Sequence, residues 1–341
     1  MTRSIAILRT GLVSSVGSTA ASSCAAIRAG VTNPTETRFI DMEGNWIVAH
    51  QVPLRQPWRG ITRLVKLAAA AVHDCLSGLE HEEWRHLPLI LCVAEPTRPG
   101  REPSLDELFD ALGRELACDF SADSAIVPQG RAAFGAALVQ ARQLIDAGRC
   151  QAALIVGVDS LLSAATLRAY EAAGRLLGPR NSNGFIPGEG AAALLVGPPQ
   201  AGPRLICQGV GLASETSHID AEQPLRADGI TSAIKTALSE AACEMHELDF
   251  RITDLSGEQY YFREAALALS RTLRVRKEEF DLWHPAEYIG EAGAIAGIAT
   301  VVVAEAAFRK SYAPGRGVLC HAGNDAGQRA AAVMRYEAAD G

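Results

Sequence analysis

Three short runs of uninterrupted apolar residues, at 89–94, 152–156 and 191–196, most narrow what this chain can fold into. A strand with one wet face alternates apolar and polar residues; a strand covered on both faces does not. These runs are too short for ordinary helices, and turn residues bound them. Gly148 precedes the second, and Gly184-Phe-Ile-Pro-Gly-Glu-Gly190 runs almost directly into the third. They predict buried strands. Other segments have helical spacing. Leu64, Leu67, Ala71, Cys75 and Leu79 share one face, as do Phe134, Leu138, Ala141 and Ile145 before the stop at Gly148. Strands alternating with helices imply a mainly parallel sheet with helices on its faces.

The rest of the chain repeats the pattern. Ile5 to Leu8 predicts a first strand, turned by Thr10-Gly11. Ser104 with Glu107 three residues on predicts a capping box and a helix to about Ala117. Gly197-Pro-Pro-Gln-Ala-Gly-Pro203 is the clearest linker, dividing the chain into 1–196 and 204–341. Beyond it, Asp228 is placed to cap a helix carrying Ile230, Ile234, Leu238 and Ala241. Strands are predicted at 251–255, 317–321 and 331–334, and a Gly/Ala-rich helix, buried nearly all round, at 290–309.

Composition excludes some partners. With 341 residues, 48% of them hydrophobic, the chain can bury a sizeable core. A net charge of −7 opposes binding to nucleic acid or an anionic membrane. The longest helix-like apolar run, 292–304, is too short to span a bilayer, and the start reads as a strand rather than a leader. Eight single cysteines without a C-x-x-C pair point to buried free thiols in a reducing cytoplasm. Histidines and acids lack metal-ligand spacing, so neither metal nor cofactor is expected.

Four segments carry a resemblance. Thr10-Gly-Leu-Val-Ser-Ser-Val-Gly17, the stretch from Gly148 to Ser160, the Gly184 to Val196 turn and strand, and Gly290-Glu-Ala-Gly-Ala-Ile-Ala-Gly-Ile-Ala299 resemble, in order and spacing, segments of the β-ketoacyl synthases. The resemblance spans almost the whole chain. It implies an α/β, thiolase-like, five-layered α-β-α-β-α sandwich of two related halves. It also implies a homodimer, with the strand at 151–157 pairing across the two-fold.

The chemistry of that family needs a cysteine nucleophile and two histidines. Counting back from Gly148 puts Arg131 at the nucleophile's place, and 126–135 contains no cysteine. Ser256 stands where the first histidine would, and Glu287 where the second would. Neither can donate as an imidazole does to a thioester carbonyl. A buried Arg131 would need an acid, and Glu287 is the candidate. The remnant triad is thus Arg131, Ser256 and Glu287, with no catalytic residue among them.

A few other residues have side chains capable of chemistry or docking. Gln129 would stand in for the cysteine of decarboxylating relatives only after a two-residue shift. His284 and His321 lie near the implied site, and Cys320 adjoins His321, but neighbours on a strand face opposite ways. Arg59, Arg63 and Lys66 fall where the family docks its acyl carrier protein; a solvated basic face is the plainer reading. The resemblance implies a catalytically inactive ketosynthase-like accessory protein. Its partner would be an active ketosynthase or a type VI secretion effector that it helps to load. The alternative is an active acyltransferase with a rearranged site.

Overall fold

The computed structural model describes residues 4–337. Its first half holds β1 (Ile5–Val13), α1 (Ala20–Arg28), the hairpin β2 (Thr35–Ile40) and β3 (Trp46–Ala49), and α2 (Gly60–Cys75). It continues with α3 (His81–Trp84), β4 (Leu89–Cys92), α4 (Leu108–Leu116), β5 (Ala125–Val127), α5 (Ala133–Asp146), β6 (Ala153–Ser160), α6 (Ala164–Ala172) and β7 (Glu189–Gly197). The second half holds β8 (Arg204–Ser214), α7 (Asp228–Glu240), β9 (Phe250–Thr253), α8 (Gln259–Thr272) and β10 (Leu282–Trp283). It closes with α9 (Ala286–Ile289), α10 (Ala296–Arg309), β11 (Gly317–Gly323) and β12 (Gln328–Glu337).

The strands lie in the order β10-β9-β11-β12-β8-β1-β7-β6-β4-β5. Read outward from the centre, each half runs the same way. β4 is parallel to β5 and β6, and β7 is antiparallel to β6 and β1. Likewise β9 is parallel to β10 and β11, and β12 is antiparallel to β11 and β8. The halves join where Ile5–Ile7 of β1 meet Leu205–Cys207 of β8.

Helices make the remaining layers. α2 and α4 pack Leu67, Val72, Leu108 and Leu112 on Leu89, Leu91 and Val156. α7 and α8 cover the other half with Ile230, Ile234 and Ala268 on Leu319 and Val333. Between the halves lie α5 and α10, whose Phe134, Leu138, Ile298 and Val302 join a cluster drawn from both sets of strands. α10 is buried nearly all round, and each large apolar side chain there contributes roughly 1.5–3 kcal/mol. The result is the five-layered thiolase-like sandwich of two related halves.

Several local expectations are corrected. Gly11 is inside β1 rather than in a turn: a Cβ there would lie 2.2 Å from the Ala71 carbonyl oxygen, so glycine is what lets α2 sit against the strand. The turn comes at Ser14–Gly17. Ser104 does not cap a helix; Glu102 accepts its N–H, a 3-10 turn follows, and α4 begins at Leu108. Asp228 is inside α7, with Ala227 before it. α10 starts at Ala296 rather than 290, because Gly290 and Gly293 have positive φ and interrupt the helix. The segment 151–157 does not present an edge either: β6 is flanked by β4 and β7. The free edges of the large sheet are β5 and β10. Among the described residues no helix is long and apolar enough to cross a membrane.

Candidate functional site

The 3-10 turn Gly130–Ala132 feeds directly into α5, and it sets Arg131 at the mouth of the central layer. Gly130 has φ +51°, and a Cβ on it would lie 2.0 Å from Glu95 Oε2, so the turn closes directly over a buried carboxyl group. Arg131 is itself buried. Its Nη1 donates to Glu291 Oε2 at 2.9 Å and its Nη2 to Asp325 Oδ1 at 2.9 Å. Its Nε is 3.6 Å from Asp254 Oδ2, and its guanidinium lies 4.4 Å from the centre of the Tyr261 ring.

The surrounding groups are equally committed. Ser256 Oγ donates to Glu291 Oε2 at 3.0 Å, and the Gly293 N–H donates to Glu291 Oε1 at 3.0 Å. Asp325 also accepts from Arg175 Nη1 at 2.7 Å, from Tyr170 at 3.3 Å and from Tyr261. Arg175 forms a fork with Glu258 at 2.7 and 2.8 Å. Arg98 donates to Asp159 at 2.7 Å, and Asp159 accepts the Ala294 N–H from the turn before α10. Arginine suits such a place because its planar fork meets carboxylates at two points. The free space left among Glu95, Arg98, Arg131, Tyr170, Arg175, Glu291 and Asp325 is about 20 Å³. That volume is on the order of one water molecule.

Electrostatics follow from this crowding. Burial pushes the Glu291 carboxyl up to about 7, against the pull of Arg131. Burial also raises Glu95 and Asp254. At Asp325 burial acts the same way, but Arg131 and Arg175 overcome it and hold the carboxyl well below the usual range. Desolvation opposes the charge on Arg131, and the facing acids more than restore it. The cluster contains no thiol and no imidazole within these contacts. It can hold charge and, at Glu291, a proton.

The structure sorts the residues expected from the sequence. Arg131 and Ser256 come together through a shared carboxylate. That carboxylate belongs to Glu291, not Glu287. Glu287 sits on the outer side of α9, whose buried residues are Ala286 and Ile289, and it pairs with His284 at 3.3 Å. The expected Arg131–Glu287 pair therefore does not form. His284 lies beside Phe262, in a cleft with Trp283, Tyr288 and Tyr312. Gln129 joins the site through its backbone, its carbonyl accepting from Asn324 at 3.0 Å. Cys320 is buried in the central layer and its thiol is pushed up to about 12 by burial. His321 is buried too, and burial, with Arg251 nearby, pushes it down to about 3. A thiol and an imidazole so shifted make a poor nucleophile and base at neutral pH.

Of the three basic residues on α2 and its cap, only Arg59 remains uncommitted. Arg63 forks onto buried Glu189 and donates to the Val52 carbonyl at 2.8 Å. Lys66 pairs with Glu115 at 2.6 Å and lies over Trp58. Sequence spacing does not single out Glu291, Asp325 or Arg175. Glu291 does carry a signal: it is a lone acid opening a long Gly/Ala-rich apolar segment, where an unpaired charge could not be buried.

The sequence model of the β-ketoacyl synthase N-terminal domain matches residues 131–201, beginning at Arg131 itself. By structure, the ishigamide ketosynthase/chain length factor superposes with a TM-score of 0.76 at 19% identity, covering 98% of this chain and 99% of that one. The fold is that of the ketosynthases. A type II polyketide ketosynthase complexed with its acyl carrier protein gives a TM-score of 0.80 at 15% identity, covering 98% and 100%. The ketosynthase ApeO in complex with its chain length factor ApeC, from Xenorhabdus doucetiae, gives 0.78 at 13% identity, covering 98% of each chain. No curated protein matches by sequence. On this ketosynthase fold, the turn before α5 presents an arginine bound to three acids.

Proposed function

We propose that this protein is a catalytically inactive ketosynthase-fold partner protein. One observation carries the reading: the side chain at the head of α5 is Arg131, buried and bonded to Glu291, Asp325 and Asp254, with about 20 Å³ of free space beside it. An acyl group has no room there, and no thiolate to receive it. We take Arg131, Ser256 and the 287–291 turn as the remnants of a Cys-His-His site. The repeated element order supports reading 1–196 and 204–341 as its two halves.

Solved proteins of this fold include ketosynthases paired with chain length factors. They support a second thiolase-fold subunit as partner, a homodimer in the first instance or an active ketosynthase. The open edge of β5, with exposed Ile126, is where such a subunit would pair. The β2–β3 hairpin favours a second kind of partner. It exposes Ile40, Met42, Trp46 and Val48 together, which suits a protein surface such as a type VI secretion effector. Carrier-protein docking at α2 rests on Arg59, since Arg63 and Lys66 are engaged within the chain.

The test is acyl transfer. The chain is mixed with acyl and malonyl carrier-protein thioesters and examined by mass spectrometry. No adduct is expected, nor any with Arg131→Cys, because a thiol alone lacks the two imidazoles that act with it. A stoichiometric adduct on any cysteine, lost on its replacement by alanine, would establish the acyltransferase reading instead.

A further inference from the structure

We propose that the cleft between the β2–β3 hairpin, the start of α2 and the loops at 98–102 and 160–164 binds a small organic anion, a phosphate or carboxylate on a flat apolar body. The cleft encloses about 390 Å³, within the range of small-molecule sites. Arg38, Arg59, Arg63 and Arg98 line it. Two of them are spent: Arg63 neutralises Glu189, and Arg98 neutralises Asp159. Even so, the Arg98 Nε is buried without a hydrogen-bond partner.

Arg38 and Arg59 have no carboxylate within ion-pair distance among the described residues. They face the same cleft, and slight desolvation on its wall, together with Arg59 and Arg63, lowers the Arg38 pKa. Like charges gathered around one cavity are relieved by an anion. The remaining carboxylate, Glu102, does not supply that relief. It accepts the Ser104 N–H, and its Oε2 would lie 3.1 Å from a Cβ on Gly60, against the first turn of α2. One carboxylate against the two arginines still leaves the cleft positive.

The apolar part of the ligand is read from the other walls. Phe39, Pro57, Trp58, Leu64 and Leu162 line the cleft, and the Arg38 guanidinium lies 4.8 Å from the Phe39 ring centre. An aromatic-lined wall beside paired arginine forks accepts a planar group bearing an anion. This site does not depend on the function proposed above, and it shares only Arg98 with the Arg131 cluster.

Arg38 and Arg59 are exposed, so replacing them leaves the core intact. Phenyl phosphate, benzoate, inorganic phosphate and phenol are titrated into the full chain by calorimetry at two salt concentrations. Phenyl phosphate or benzoate should bind saturably and more tightly than inorganic phosphate; phenol should not bind. The tighter of the two assigns the anion. Arg38→Ala with Arg59→Ala should weaken binding about tenfold or more, and Arg180→Ala, whose partner is Glu43 outside the cleft, should not. No saturable binding of either aromatic anion, or equal binding by the double variant, would overturn the proposal. So would docking of a carrier protein at Arg59 with no binding of the small anions.

Discussion

Arg131 shows what a buried charge requires. Glu291, Asp254 and Asp325 are arranged around it, and removing it leaves those acids without their common cation. Arg131→Ala should therefore cost about 3–5 kcal/mol in urea unfolding. Adding Glu291→Gln should recover part of that loss, because neighbours sharing one network are not additive; full additivity would show that the two side chains act separately. Glu291 also predicts a pH dependence. Its folded value is about 7 against an ordinary 4.5, so between those values the folded chain holds a proton that the unfolded chain has released. The contribution of this group to stability thus rises as pH falls from about 8 to about 5. Asp325 has the opposite sign, its contribution being lost only in stronger acid. Thermal midpoints across neutral pH should shift less in Glu291→Gln than in the wild type; an identical slope would assign the effect to another group. That Arg131 lies just before a buried helix is legible in the sequence, since Phe134, Leu138, Ala141 and Ile145 share one face and Gly148 ends it. Its partner is not, because which acid of 287–291 turns inward depends on the short α9 turn, and sequence spacing does not encode that direction.

At the scale of elements, continuous apolar runs mark β4, β6 and β7 well, because covered strands have little choice of residue. Helix starts are less legible. The capping pattern at Ser104 is real in sequence but loses to Glu102 and a 3-10 turn, and the glycines before α10 serve turns rather than helix. Gly11 has the look of turn chemistry in the sequence, yet it serves packing. Its place within 2.2 Å of the Ala71 carbonyl gives a direct test. Gly11→Val should force α2 from the sheet and cost about 1–3 kcal/mol, seen as a lower denaturant midpoint. An unchanged midpoint would mean that α2 moves away freely.

For the whole molecule, the decisive surface is the β5 edge. The dimer proposed across it should appear as twice the chain mass by light scattering at micromolar concentration. Ile126→Pro, which removes a backbone donor from that edge, should give a monomer with unchanged circular dichroism. A wild-type monomer would discard the homodimer and leave the edge to a different subunit. The expectation for 151–157 fails for a topological reason: β6 is sequentially near the site but lies inside the sheet, and only strand order reveals which strand is outermost.

Legible from the order of residues alone are the layered α/β class, the ketosynthase likeness and the absence of a cysteine near 131. Those rest on local periodicity and on short segments whose residues are close in the chain. Tertiary structure alone decided that Arg131, Glu291, Asp325 and Asp254 form one cluster, that Arg63 turns inward while Arg38 and Arg59 share a cleft, and that β5 rather than β6 is the edge. Each joins groups tens to hundreds of residues apart. Such pairings depend on the packing of layers, which no local pattern records.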